Sequence, residues 1–167
     1  MFPRPNARHS QNAYVTTDMD QALAVWQVKF GVPSFYEFTN DAPGIDCSHP
    51  YRLKIALASV GGTEIELIEP LDGNAMYSDA LPKDGSFAMR FHHICLRIDG
   101  PLSNFEAHMA SFDPATHPVA YRGGLTNLMR FAYTDERATL GHYVEHVWFD
   151  ADFYAQMSSA IPVYPAR

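Results

Sequence analysis

The sequence predicts an α+β fold made of two similar halves, each a strand, a helix and then three strands. Apolar and polar residues alternate in several short segments, as at residues 63–69, which is typical of half-buried strands. A segment with helical spacing of apolar residues follows the first strand of each half. The same order of elements recurs after roughly 80 residues, which indicates a duplicated module.

The first half begins with a predicted strand at residues 11–17, rich in aromatic and β-branched side chains. Asp18 is a suitable N-cap for the helix that follows, and Gly31 ends that helix. The remaining predicted elements are strand 35–38, loop 40–50, strand 51–58, strand 63–69 ended by Pro70, and a short helical segment at 75–81.

The second half opens with residues 91–99, an apolar strand that begins with two adjacent histidines. Because side chains alternate across a strand, one face is predicted to carry an imidazole, a thiol and a guanidinium, those of His93, Cys95 and Arg97. The other face, with His92 and three aliphatic residues, is expected to pack on a core. A strand with a purely structural role has little reason to place three such polar groups in a row.

A second helix is predicted between Pro101 and Asp113. The elements predicted after it are strand 117–121, a turn at Gly123–Gly124, strands 129–133 and 140–149, and a helix at 153–157. We expect one structural domain of two modules, residues 1–88 with an N-terminal arm and residues 89–167 with a C-terminal helix.

The composition is that of a folded protein, with 47% hydrophobic and 13% aromatic residues. A net charge of −7 argues against nucleic acid and anionic membranes as partners, because both favour clustered lysine and arginine. No signal peptide or membrane-spanning run is recognisable. The two cysteines form neither a disulfide framework nor a metal motif, so a cytoplasmic protein with a small-molecule partner is expected.

Four polar residues occupy equivalent positions in the two halves: Gln11 and His93 in the first strands, and Glu66 and Glu145 in the last. If the halves form one continuous sheet, all four can meet on one concave face. Their oxygen and nitrogen atoms suit one divalent cation such as Zn, Ni, Co, Mn or Fe(II). A single buried histidine or glutamate is more often a satisfied core residue than a ligand, but four at matched positions favour a metal.

Some alternatives stay open on the residues alone. His9 lies two positions before Gln11 on the same strand face, so either side chain can be the ligand. Arg97 is predicted either to bind a substrate carboxylate or to pair with a neighbouring carboxylate, and Tyr143 is predicted to line the pocket. His146 is expected on the face opposite Glu145, away from the metal.

The chain resembles the vicinal oxygen chelate superfamily, which includes glyoxalases, methylmalonyl-CoA epimerases, extradiol dioxygenases and bleomycin-resistance proteins. The resemblance rests on the segments VTTDMD at residues 15–20, IELIEPL at 65–71 and FHHICLRID at 91–99, the last two being similar to the epimerase-like branch. It covers about residues 9–150. It implies two βαβββ modules in a cupped, eight-stranded mixed sheet around one metal, with helices outside.

By position, the resemblance places the metal ligands at Gln11, Glu66, His93 and Glu145. Epimerases usually have histidine in place of Gln11, whereas this set of four is that of eukaryotic-type glyoxalase I. Extradiol dioxygenases use two histidines and one glutamate as ligands. This chain has Gln11 in place of the first histidine, which disfavours ring cleavage. A homodimer is common among the relatives.

We therefore expect a metal-dependent isomerase, epimerase or lyase that transfers a proton at a carbon next to a metal-bound oxygen. Glu66 and Glu145 are the predicted catalytic pair, one acting as the base and the other as the conjugate acid. Two alternatives remain, an Fe(II)-dependent ring-cleaving dioxygenase and a non-catalytic protein that sequesters a small molecule.

Overall fold

The computed structural model describes residues 7–41, 46–47, 51–73 and 75–165. Within these residues, eight strands of six or more residues and two short strands form one mixed sheet, accompanied by three α-helices. The strands are β1 Ala7–Thr16, β2 Tyr36–Asp41, β3 Asp46–Cys47, β4 Arg52–Val60, β5 Thr63–Asp72, β6 Met89–Ile98, β7 Val119–Leu125, β8 Met129–Asp135, β9 Tyr143–Phe149 and β10 Val163–Tyr164. The helices are α1 Met19–Phe30, α2 Leu102–Ala110 and α3 Ala151–Ser159, and a 3₁₀ turn spans Ala75–Tyr77.

The sheet has the order β10-β4-β5-β1-β6-β9-β8-β7-β3, and β2 also pairs with β4. The two halves meet at β1 and β6, which are antiparallel. On either side of this join the neighbours are parallel, β5 beside β1 and β9 beside β6. Each half is thus a βαβββ unit, and the predicted α+β fold with a mixed, cupped sheet is confirmed. The module boundary after residue 88 stays a prediction.

The first helix forms as its sequence predicts. The carboxylate of Asp18 accepts a hydrogen bond from the backbone N–H of Gln21 at 2.9 Å, which satisfies one of the free donors of the first turn. Gly31 ends α1 in the left-handed region with φ of 68°. The buried face of α1, centred on Ala22 and Trp26, packs against the outer face of β4 and β5.

The structure corrects three of the predicted elements. Pro70 does not end β5, which continues to Asp72. It still pairs with Leu53 of β4, next to a register shift, whereas the pairing of β5 with β1 ends at Ile68. Gly123 and Gly124 lie inside β7 and are not a turn. A Cβ on Gly124 would lie 2.4 Å from the carbonyl oxygen of Met129, so glycine permits the close strand pairing. The predicted loop 40–50 also contains β3, while residues 42–45 and 48–50 lie outside the described residues.

A β-bulge overturns the predicted orientation of His92. Ala13 pairs with His93 and Tyr14 with Phe91, so His92 is an extra residue in β6 relative to β1. The bulge interrupts the alternation of side chains, and the imidazole of His92 stacks on the inner-face ring of Tyr77 with centroids 5.3 Å apart. His92 therefore joins His93 on the inner face instead of pointing to the opposite side.

The main core lies on the inner face of the sheet, where aliphatic and aromatic residues of both halves form one cluster. Smaller clusters lie on the outer face beneath α1 and α2. None of the helices in the described part of the chain has the length and apolar character needed to cross a membrane.

Candidate active site

Three predicted ligands meet at the centre of the inner face. The Nε2 atom of His93 on β6 lies 3.5 Å from a carboxylate oxygen of Glu66 on β5 and 3.5 Å from one of Glu145 on β9. Gln11 on β1, which is 8% exposed, pairs in register with Cys95 of β6. Gln11, Glu66 and Glu145 all line one cavity. The sheet register therefore brings residues from both halves to one place.

The imidazole of His93 is fully buried, yet its Nε2 atom has no hydrogen-bond partner among the described residues. A buried polar atom without a partner is rare and costs free energy. Its neighbours are two carboxylates, which attract a cation or a proton at this point. This atom therefore indicates a ligand position.

The other ring nitrogen of His93 is held by its sequence neighbour. Nδ1 of His93 lies 2.8 Å from Nδ1 of His92, and Nε2 of His92 lies 3.1 Å from the backbone oxygen of Met76. Burial, together with the nearby His93, lowers the pKa of His92 from 6.5 to about 3, so this imidazole is neutral at physiological pH.

Glu64 is a further carboxylate at the site that the sequence analysis did not select. It lies two residues before Glu66 on the same face of β5, it pairs with Gln11 of β1, and it lines the same cavity. The period of two along the strand was the available signal. Burial and the charge of Glu145 raise the pKa of Glu64 to about 7.

The environments of the two predicted catalytic glutamates push their pKa values apart. Burial, followed by the charges of Glu145 and Glu64, raises the pKa of Glu66 well above its usual value. Burial acts the same way on Glu145, but the adjacent imidazole of His93 and hydrogen bonds from Cys95 and Tyr133 outweigh it and lower its pKa. Such a divergence is typical of an acid and a base in one site.

A cavity of about 380 Å³ opens above this cluster. Its walls are mainly aliphatic and aromatic side chains from β2, β4, β5, β8 and β9, among them Phe38, Leu57, Phe131 and Phe149. None of the described residues that line it is a lysine or an arginine. The cavity therefore combines apolar walls with a floor of carboxylates and one amide.

A second cavity, of about 300 Å³, adjoins the first, and both are lined by Gln11 and Glu64. Arg97 lines only this smaller cavity, where its guanidinium stacks 3.9 Å above the ring of Tyr154 and lies 3.3 Å from Asp99. His9 also lines only the smaller cavity, and its Nε2 atom is 3.0 Å from the side chain of Asn12. Gln11 and His9 are the two alternative ligands predicted on the first strand. Of these, only Gln11 shares the larger cavity with Glu66.

Tyr143 lies beside His92, with ring centroids 5.1 Å apart, and the guanidinium of Arg137 covers its ring at 4.6 Å. It is not among the described residues that line either cavity. On the outer face of β9, the ring of His146 is bound by His108 at 2.9 Å and by Thr134 at 3.1 Å. His146 thus lies on the face opposite Glu145, as its position in the strand predicts.

The residues at the floor of the larger cavity fit a divalent metal by donor type. They supply an unpartnered buried imidazole nitrogen, carboxylate oxygens and an amide, the groups that first-row metals accept. Within the described ranges, however, no group of three or more His, Cys, Asp and Glu side chains is already arranged as a metal site. Binding an ion would therefore require the carboxylates to rotate toward it.

The family model described as "Glyoxalase/Bleomycin resistance protein/Dioxygenase superfamily" matches residues 10–133. The chain belongs to this superfamily, as its two βαβββ units and central cluster of ligand-type residues indicate. No curated protein shows a significant match.

Similar solved structures are methylmalonyl-CoA epimerases. The Mycobacterium tuberculosis epimerase matches with a TM-score of 0.60 and 17% identity, covering 93% of this chain and 97% of the other. A variant of the Streptomyces coelicolor epimerase in complex with 2-nitronate-propionyl-CoA matches with a TM-score of 0.58 and 18% identity, covering 86% and 95%. An epimerase in complex with methylmalonyl-CoA and NH4+ matches with a TM-score of 0.58 and 17% identity, covering 87% and 96%. At these identities the likeness shows the fold.

Proposed function

We propose that the protein is a metal-dependent isomerase, epimerase or lyase that moves a proton at the carbon next to a carbonyl group of a small, largely apolar molecule. The observation that carries the proposal is the unpartnered Nε2 atom of buried His93, 3.5 Å from Glu66 and 3.5 Å from Glu145. Membership of the superfamily and the likeness to epimerases support the reaction class.

The side chains that would hold the ion are Gln11, Glu66, His93 and Glu145, and the set accepts Zn, Ni, Co, Mn or Fe(II). When bound, a divalent ion polarises a carbonyl oxygen and stabilises the negative charge that develops there. The proton transfers are assigned to side chains of the protein.

Glu145 is the proposed base, because its lowered pKa keeps it ionised at neutral pH. One of its oxygens takes the proton from the carbon, and the electron pair of the broken C–H bond moves toward the carbonyl group. Glu66, whose pKa is raised, is the proposed acid that returns a proton to carbon. The two glutamates lie on strands of different halves, so delivery to the opposite face of the carbon inverts its configuration.

The larger cavity indicates which molecules can bind. Lysine and arginine are the side chains that bind phosphates and carboxylates most strongly, and neither is among the described residues of its wall. Its carboxylate floor also repels anions. We therefore propose an uncharged substrate with an alkyl or aromatic body and a carbonyl group that reaches Glu66 and Glu145.

Deuterium exchange tests the proposal. The purified protein, loaded with Zn, Co, Ni, Mn or Fe(II), is incubated in D2O with 2-hydroxyacetophenone, a neutral aromatic ketone with an exchangeable CH2 group, or with methylmalonyl-CoA. We expect metal-dependent uptake of deuterium into the ketone and a loss of at least 100-fold in E145Q. Full exchange by E145Q with metal retained would contradict the role of Glu145.

A non-catalytic binding protein is the second candidate, and the apolar walls of the larger cavity favour it. It predicts that 2-hydroxyacetophenone binds the metal-free protein as tightly as the loaded protein, with no deuterium uptake in either form. That result would replace the enzymatic proposal.

A further inference from the structure

We propose that His92 is a positioning residue that fixes which nitrogen of His93 carries the proton, and so leaves Nε2 of His93 free to bind the metal. This inference rests on the proposed function, because it concerns the metal-binding form of His93. It depends on three features described above: the β-bulge in β6, the contact between the two Nδ1 atoms, and the bond from His92 to Met76.

The carbonyl oxygen of Met76 determines which nitrogen of His92 carries the proton. A carbonyl oxygen only accepts hydrogen bonds, so the Nε2 atom of His92, 3.1 Å away, must be the donor. A neutral imidazole has a single N–H group. The Nδ1 atom of His92 is therefore left with a lone pair.

The lone pair on Nδ1 of His92 determines in turn which nitrogen of His93 carries the proton. The Nδ1 atoms of His92 and His93 are 2.8 Å apart, a hydrogen-bond distance at which one of them must donate. Since His92 has only a lone pair there, Nδ1 of His93 holds the proton. The neutral form of His93 then has its lone pair on Nε2, which is the atom between Glu66 and Glu145.

This arrangement is a relay of hydrogen bonds behind a metal ligand. A histidine ligand commonly donates its second N–H to a group that fixes its tautomer and ring orientation. Here another imidazole does so, itself held by a backbone oxygen of the 3₁₀ turn and stacked on Tyr77. The bulge is required, because regular alternation would place His92 on the other face of the sheet.

Without the acceptor nitrogen of His92, His93 should favour the opposite tautomer. A proton on Nδ1 would be buried without a partner, whereas a proton on Nε2 would face two carboxylates. We therefore expect the Nε2–H tautomer in H92L, and the metal must then displace that proton. In H92N the amide oxygen can still accept from Nδ1 of His93, so this variant should keep the original tautomer.

The test is the tautomer of His93 in metal-free, 15N-labelled protein, measured by long-range 1H–15N correlation at pH 8 and assigned with His93→Gln. We expect the Nδ1–H form in wild type and H92N and the Nε2–H form in H92L. In calorimetry with Zn²⁺, H92L should bind 10–100-fold more weakly and H92N close to wild type. His108→Phe, which breaks the other buried histidine pair, is the matched control and should change neither result.

An Nε2–H tautomer in the wild type, or an unchanged tautomer in H92L, would overturn the inference. The wild-type spectrum and H92N decide the question even if H92L does not fold. A wild-type protein with the Nδ1–H tautomer that binds none of the tested metals would instead contradict the proposed function and leave the role of His92 in place.

Discussion

The imidazole of His93 and the carboxylate of Glu66 approach each other across the join between the two halves, with Nε2 3.5 Å from the carboxylate oxygen. One residue comes from the first strand of the second half and the other from the last strand of the first. Ala13 of β1, which pairs with both residues in register, is small and lies between them. The site therefore exists only where the two halves share one sheet.

The metal-free protein should become less stable as the pH rises through 7, in part because of Glu64. Its pKa is about 7 when folded and 4.5 in the reference state, so the folded protein retains a proton that the unfolded chain releases. This contribution is present in full below pH 4.5 and is lost as the pH rises through 7. The unfolding free energies of wild type and E64Q are measured by chemical denaturation at each pH. The difference between the two proteins should change by up to about 3 kcal/mol as the pH rises from 4.5 to above 7. Parallel pH profiles for the two proteins would contradict the assignment.

Replacing Tyr133 by phenylalanine should shift the acid side of the activity profile. The hydrogen bond from Tyr133 helps to lower the pKa of Glu145, and a base must be ionised to accept a proton. Y133F should therefore lose activity at a higher pH than wild type, measured as deuterium exchange between pH 4 and 9. Tyr14→Phe, which lies on the outer face against Trp26, is the control and should leave the profile unchanged. A shift in Y14F equal to that in Y133F would count against a specific bond.

Replacing Gln11 by histidine should strengthen metal binding. An imidazole nitrogen is a better ligand than an amide oxygen for Zn²⁺ and Co²⁺, and position 11 lines the cavity floor with Glu66 and Glu145. We expect about a tenfold decrease in Kd for Co²⁺, measured by titration. His9→Gln should leave Kd unchanged, because His9 lines only the smaller cavity. A large loss of affinity in H9Q, with no effect in Q11H, would transfer the ligand role to His9.

Truncation of Leu67 should destabilise the fold without altering the site. Leu67 is fully buried on the outer face of β5 beneath α1, and a leucine-to-alanine change in such a position costs about 2–5 kcal/mol. Val28→Ala, at an 83% exposed position of the same helix, should change stability by less than about 0.5 kcal/mol. Thermal and denaturant unfolding measure both, and equal effects would contradict the assigned packing.

The sequence predicted those features that follow from local periodicity and from the repeat. Asp18 and Gly31 bound α1 as expected, and alternation along β6 and β9 placed His93 and Glu145 on one face. A β-bulge has no such local pattern, so the sequence does not predict that the side chain of His92 points to the inner face. The sequence pattern places Gly124 in a turn, because the close approach of the neighbouring strand, which requires glycine there, has no local signal.

The position of a residue within the cup also depends on long-range pairing. The sequence places Arg97 on the face of His93, but α3 and Tyr154 decide that it lines the smaller cavity. Glu64 was accessible from the sequence, since it shares a face with Glu66 two residues away. Its pKa depends on burial and on Glu145 from the other half, which no local pattern specifies. Homodimer formation, a cytoplasmic location and the identity of the metal stay predictions.

Titration of the metal-free protein with Co²⁺, followed by visible absorption, tests whether Gln11, Glu66, His93 and Glu145 form a metal site. We expect one Co²⁺ per chain, with absorption bands of a site that includes an imidazole nitrogen. We also expect that His93→Gln weakens binding by at least 100-fold while the fold is retained. Absence of binding at millimolar Co²⁺, or binding that His93→Gln leaves unchanged, would contradict this site.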